Sequence, residues 1–264
     1  MLSESRTAMK FLLLVTLLLL ISARVSAGTG DRVFGLPLAT RSPALAKNGM
    51  AATSQPLATD AALDILKAGG NAIDAAIAAN ACLGLMEPTG CGIGGDLFAI
   101  VWDAKEGKLH GYNGSGRSPK SLTLEKLKEE LADQGLTEIP AHGTLPISVP
   151  GCVDGWISLH EKFGRLPLEQ VLEPAIRHAR QGFPVSQVIA YYWQASARRL
   201  QPQPGFMETF TRDGKAPVEG ELWRNPDLAR SYEKIAKEGR AGFYEGEVAE
   251  TMARFVQEHG GYLS

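Results

Sequence analysis

Apolar residues in the first half of the chain recur at helical spacing, then switch to a continuous run, and this change locates its elements. Leu63 and Leu66 share one face of a segment that predicts a helix over about Leu57–Lys67, ended by Gly69-Gly70. Asn71 is placed to cap a second helix, about Ala72–Leu85, where Ile73, Ile77 and Ala81 follow at four-residue spacing. Its alanine content lets neighbouring backbones approach closely, which predicts a buried central helix. The run Leu97–Trp102 is apolar on both faces, as in a strand inside a covered sheet. A turn at Asp103–Gly107 and a return over Lys108–Tyr112 complete a hairpin.

Beyond the hairpin the periodicity is helical again. It predicts an amphipathic helix at about Leu122–Asp133, then Cys152–Phe163, Leu168–Arg180, Ser186–Leu200, Pro226–Lys237 and Glu247–Glu258. Pro167 and Pro226 suit first helical positions, with Asn225 as a cap, and Gly182, Gly239 and Gly260 suit helix ends. Two strands make only a hairpin, which is marginal alone in water. The expected sheet therefore needs partners outside this sequence, and the sequence reads as part of a larger protein.

The N-terminus carries a different pattern. Phe11–Ile21 is an unbroken apolar run behind Arg6 and Lys10, and as a helix it would reach only about 16 Å, half a bilayer core. Val25-Ser26-Ala27 supplies the small side chains a signal peptidase needs. Residues 1–27 are expected to be a secretory signal, 28–48 an extended lead-in and 49–264 the folded domain, with periplasmic or extracellular export. An uncleaved membrane anchor is the competing reading of 1–27.

Composition narrows the function classes. The 264 residues are 44% hydrophobic and 21% charged, which excludes intrinsic disorder. Losing the leader removes three basic and one acidic residue, taking the formal charge from −2 to −4. No basic stripe suits nucleic acid. Cys82, Cys91 and Cys152 are too few for a disulfide framework, and no CxxC or HExxH spacing suggests a metal; no cofactor is expected.

Gly90, Gly92 and Gly95 satisfy GxGxxG, but between a helix and a strand, the reverse of a dinucleotide site. The loop is read either as a tight packing turn or as backbone approaching another segment or ligand. Gly114-Ser115-Gly116 lacks the GxSxG of a nucleophile elbow. The histidines His110, His142, His160, His178 and His259 show no triad spacing, and Asp74 and Asn80 read as hydrogen-bonded packing residues. Arg117 differs: it stands in a glycine-rich loop after a core strand, followed by Ser118-Pro119, a placement suited to bidentate capture of a carboxylate. An ordinary surface arginine remains the alternative.

Several motifs taken in order resemble the gamma-glutamyltransferase (gamma-glutamyltranspeptidase, glutathione hydrolase) family. They are Gly49-Met50-Ala51-Ala52-Thr53-Ser54-Gln55-Pro56-Leu57-Ala58, Gly69-Gly70-Asn71-Ala72-Ile73-Asp74-Ala75-Ala76, Glu87-Pro88, Gly92-Ile93-Gly94-Gly95-Asp96-Leu97-Phe98, and Gly143-Thr144 through Val149-Pro150-Gly151. The resemblance implies an α/β (α+β) N-terminal-nucleophile hydrolase, an αββα four-layer sandwich of which this is the helix-rich large-subunit part. It further implies a precursor that cuts itself, exposing a threonine on a small-subunit partner. That threonine attacks a γ-glutamyl or related small-molecule acyl amide, and water or an amino acid resolves the acyl-enzyme. No catalytic residue is expected in this chain, neither Thr144 nor Thr251 is nominated, and the chain alone is expected to be inactive. Arg117 occupies the place of the family's substrate-carboxylate arginine. The run Arg117-Ser118-Pro119 departs from the Arg-Glu and later Pro of glutathione-cleaving members, which implies a divergent branch. A truncated, catalytically silent binding module of the same fold is the alternative from another class.

Overall fold

The computed structural model describes residues 44–264, so the expected signal and most of the lead-in lie outside the described residues. Contacts divide the chain into Met1–Lys47 and Asn48–Ser264. Of the first unit only 44–47 is described, and it is exposed. The second unit is organised around one alanine-rich helix.

Helix α1 (Pro56–Lys67) begins with proline in its first turn, and the Gln55 side chain accepts the Ala58 N–H at 3.0 Å. Helix α2 (Ala72–Met86) opens on a reciprocal cap: Asn71 Oδ1 accepts from Ile73 and Asp74, and Asp74 accepts from the Asn71 N–H. Ala75, Ala78, Ala79 and Ala81 are buried, and α2 is packed by α1, by α4 (Cys152–Phe163) and by α5 (Leu168–Gln181). It is the central helix its composition predicts. Asp74 is fully buried; its carboxylate also receives the Arg165 and Leu166 N–H groups, tying the start of α2 to the loop after α4. Asn80 Oδ1 accepts the Trp156 indole N–H at 2.8 Å. Both polar residues serve packing.

The hairpin pairs β1 (Leu97–Asp103) with β2 (Lys108–Gly114), from Leu97 opposite Gly114 to Asp103 opposite Lys108. Leu97, Ala99 and Val101 face α4, whereas Phe98, Ile100 and Trp102 are 64%, 82% and 62% exposed. The expected covering of both faces is therefore absent among the described residues. Nothing within them lies over the outer face of this two-stranded sheet.

The remaining elements are α3 (Leu124–Asp133), β3 (Phe183–Pro184), α6 (Gln187–Leu200), α7 (Phe206–Phe210), β4 (Leu222–Trp223), α8 (Pro226–Glu238), α9 (Ala241–Tyr244) and α10 (Gly246–Glu258). Helix α3 starts two residues later than expected because Thr123 takes the cap, accepting from Lys126 N–H. Pro167 is the cap of α5 instead of its first residue, with an extended ψ of 141°. The two-residue strands and the short α7 and α9 leave no periodic signature, and the sequence pattern does not announce them. Among the described residues no helix is long and apolar enough to cross a membrane.

Candidate functional site

The site is built where the hairpin ends. At the end of β2, Asn113 Oδ1 accepts the Ser115 N–H at 3.0 Å and turns the chain outward. Gly116 has φ of +73°, and a Cβ there would sit 2.0 Å from the Val149 carbonyl oxygen. A Cβ on Gly151 would sit 2.0 Å from the Gly114 carbonyl oxygen. Two backbone segments thus clasp each other at places only glycine permits. The Val149 N–H donates to the Arg117 carbonyl at 2.8 Å, pinning the backbone of Arg117 to the clasp.

A cleft of about 870 Å³ opens against this clasp. Arg117 is exposed on it and makes no side-chain hydrogen bond or ion pair among the described residues. Tyr112, Asp154, Arg240 and Tyr244 also line it and belong to a connected polar network. Arg240 Nε donates to Asp154 Oδ1 at 2.6 Å and its Nη2 to Ser158 at 3.1 Å, while the Tyr112 hydroxyl donates to Asp154 Oδ2 at 2.7 Å. Burial pushes the Asp154 carboxyl up, but the hydrogen bonds from Arg240 and Tyr112, with the Arg240 charge, outweigh it and hold the group below its ordinary value. The Tyr244 hydroxyl accepts the Asp154 N–H at 2.9 Å and donates to the Pro150 carbonyl at 2.8 Å.

The glycine loop before β1 touches the same construction from behind. Gly95 O accepts both the Gly151 and Cys152 N–H groups at 3.0 Å, satisfying the start of α4. A Cβ at Gly90, Gly92 or Gly94 would meet nothing within 4 Å among the described residues, so packing within this half does not require those glycines.

Other candidate groups have structural partners. His160 Nε2 lies 2.7 Å from the Leu166 carbonyl, and His110 stacks edge-on against Phe163. All three cysteines are free; burial pushes Cys82 and Cys152 up to about 12, which makes them poor nucleophiles. The hairpin gathers Asp103, Glu106 and His110 within 4.8 Å, a grouping the linear spacing did not suggest. Lys162 Nζ, 3.2 Å from His110 Nδ1, already places a positive charge there.

Sequence reasoning selected Arg117 but missed Tyr112, Asp154, Arg240 and Tyr244. Asp154 leaves one trace, an acid in the first turn of an otherwise apolar helix start. Arg240 and Tyr244 come from more than eighty residues further on and carry no local signal.

The sequence model of the gamma-glutamyltranspeptidase family matches residues 58–264. The chain belongs to this family. Among curated proteins it is 41% identical over 209 residues to the glutathione hydrolase-like YwrD proenzyme of Bacillus subtilis, covering 79% of this chain and 39% of that protein. Among solved structures it is similar to cephalosporin acylase from Bacillus halodurans, with a TM-score of 0.79 and 45% identity over 89% of this chain and 44% of that one. Helicobacter pylori gamma-glutamyltranspeptidase superposes with a TM-score of 0.78 and 31% identity, covering 84% and 64%. The fold is the helix-rich, large-subunit portion of an N-terminal-nucleophile hydrolase, as the motifs implied. The chain spans about two fifths of the length of the curated relatives it matches.

Proposed function

We propose that this chain is the large-subunit part of an exported, self-processing enzyme that cleaves γ-glutamyl or related acyl amides. Residues 1–27 direct export, and a small subunit from the same precursor supplies the N-terminal threonine. The threonine's own α-amine, titrating at about 8, serves as its base, and hydrogen-bond donors of the assembled site stabilise the oxyanion. The large subunit's part is to hold the donor. Arg117 grips its free carboxylate through two parallel N–H···O bonds, so the scissile amide is presented to the nucleophile at a fixed distance.

The observation that carries this reading is an unengaged guanidinium on a backbone clasp that two glycines make rigid, at the edge of a cleft. Replacing Arg117 with Ala in the complete protein is expected to cost roughly 2–5 kcal/mol of transition-state binding, read as kcat/KM for a γ-glutamyl anilide. An unchanged kcat/KM defeats the assignment. Residues 28–264 purified alone are expected to show no turnover.

One observation favours a donor other than glutathione. Ser118 stands where glutathione-cleaving members often have glutamate, and Asp154 is engaged by Arg240 and Tyr112. This half of the cleft thus offers a donor's ammonium no idle side-chain carboxylate among the described residues. Comparing a γ-glutamyl anilide with the glutaryl anilide that lacks the amino group decides it: faster turnover of the glutaryl compound supports the second reading, and slower turnover rejects it.

A further inference from the structure

Helix α4 begins with a conflict. Its cap residue, Gly151, cannot carry a side chain because the Gly114 carbonyl occupies the place of a Cβ, so α4 has no side-chain cap of its own. Cap residues of most helices accept an N–H from the second or third helical residue. Here the third is Asp154, and its N–H is met from outside, by the hydroxyl of Tyr244 at 2.9 Å. The same hydroxyl donates to the Pro150 carbonyl at 2.8 Å, so one oxygen atom spans the turn from Pro150 to Asp154.

We propose that Tyr244 is a positioning residue for substrate binding, setting the place of Arg117 through the Val149–Gly151 segment. This rests on the reading of Arg117 as the carboxylate anchor. The path is short and made of backbone contacts: Tyr244 to the Pro150 carbonyl, Val149 N–H to the Arg117 carbonyl at 2.8 Å, and Gly116 and Gly151 pressed against the carbonyls of Val149 and Gly114. The far end is anchored. A Cβ at Gly242 would lie 2.4 Å from the Lys234 carbonyl, so α9 rests directly on α8, and the adjoining Phe243 is 1% exposed. Burial raises the Tyr244 phenol to about 12, so its proton stays available for the Pro150 carbonyl at working pH. Arg240 grips the Asp154 side chain separately, so α4 remains held when the hydroxyl is removed.

The test is Tyr244→Phe in the complete, processed protein, alone and combined with Arg117→Ala, with KM and kcat measured on an anilide whose acyl group bears a free carboxylate. Tyr244→Phe is expected to raise KM about 3- to 10-fold with kcat nearly unchanged, the size of one or two lost hydrogen bonds. In the Arg117→Ala background it should add nothing further. A KM that does not move, or an effect that adds in full to that of Arg117→Ala, overturns the positioning role while leaving Arg117 in place. An unchanged kcat/KM in Arg117→Ala itself overturns both. Hydrogen exchange reads the same link without turnover: the Asp154 amide should exchange faster in Tyr244→Phe while α8 is unaffected, and equal exchange contradicts the proposal.

Discussion

Gly151 and Gly116 are the residues on which the cleft depends most directly, because each faces a carbonyl oxygen where a side chain would begin. Gly151→Ala must push the Gly114 carbonyl aside, and a strained backbone contact of this kind costs about 1–3 kcal/mol. The expected outcome is a lowered melting temperature and a reduced kcat/KM in the complete protein; a variant matching the parent in both would show that the clasp is slack. Asp74 matters in the same way to the helical core. Its buried carboxylate receives three backbone N–H groups, so Asp74→Ala should destabilise the chain by about 2–4 kcal/mol in denaturant unfolding. An unfolding midpoint that does not shift would refute this. The sequence marked Gly116 as a glycine beside Arg117, Gly151 as the end of a family motif, and Asp74 as an acid on an alanine-rich helix. What makes them necessary was hidden, since Gly114 meets Gly151, and Asp74 meets Arg165, only after the chain folds back.

At the scale of elements, α4 is held from two sides, by the glycine loop at its first amides and by α9 at its first turn. The Arg240–Asp154 pair contributes to this docking with a sign that pH can read. Asp154 titrates lower folded than unfolded, so its contribution is full above the unfolded value of about 3.9 and is lost as pH falls through the folded one. The stability gap between the parent and Asp154→Asn should therefore be open at pH 6 and shrink as pH falls below the ordinary carboxylate value. A gap constant across that range would exclude the ionic contribution. The long helices were legible because caps and breakers frame them: Asn71, Asn225 and Pro226 at starts, Gly182 and Gly239 at ends. Helix α9 was not, because four residues give no period, and its place is decided by the fit of Gly242 against α8.

At the scale of the whole molecule, the outer face of the hairpin is the unfinished part. Phe98, Ile100, Trp102 and Leu109 expose more than half of their surface side by side, a patch that soluble surfaces rarely carry uncovered. In the proposed enzyme the small subunit's sheet continues from this hairpin and the second helical layer closes over it. Ile100→Asp should then leave the helical half folded but prevent the two subunits from co-eluting as one active species. Normal assembly of that variant would place the subunit contact elsewhere. The apolar run on β1 announced a strand covered on both faces, but among the described residues only its inner face is covered.

Self-processing is tested by intact mass with N-terminal sequencing of the mature protein purified from its own source. Two chains are expected, one starting at Gly28 and the other at a threonine. A mature protein that remains one uncut chain, with no threonine-led partner, would contradict it.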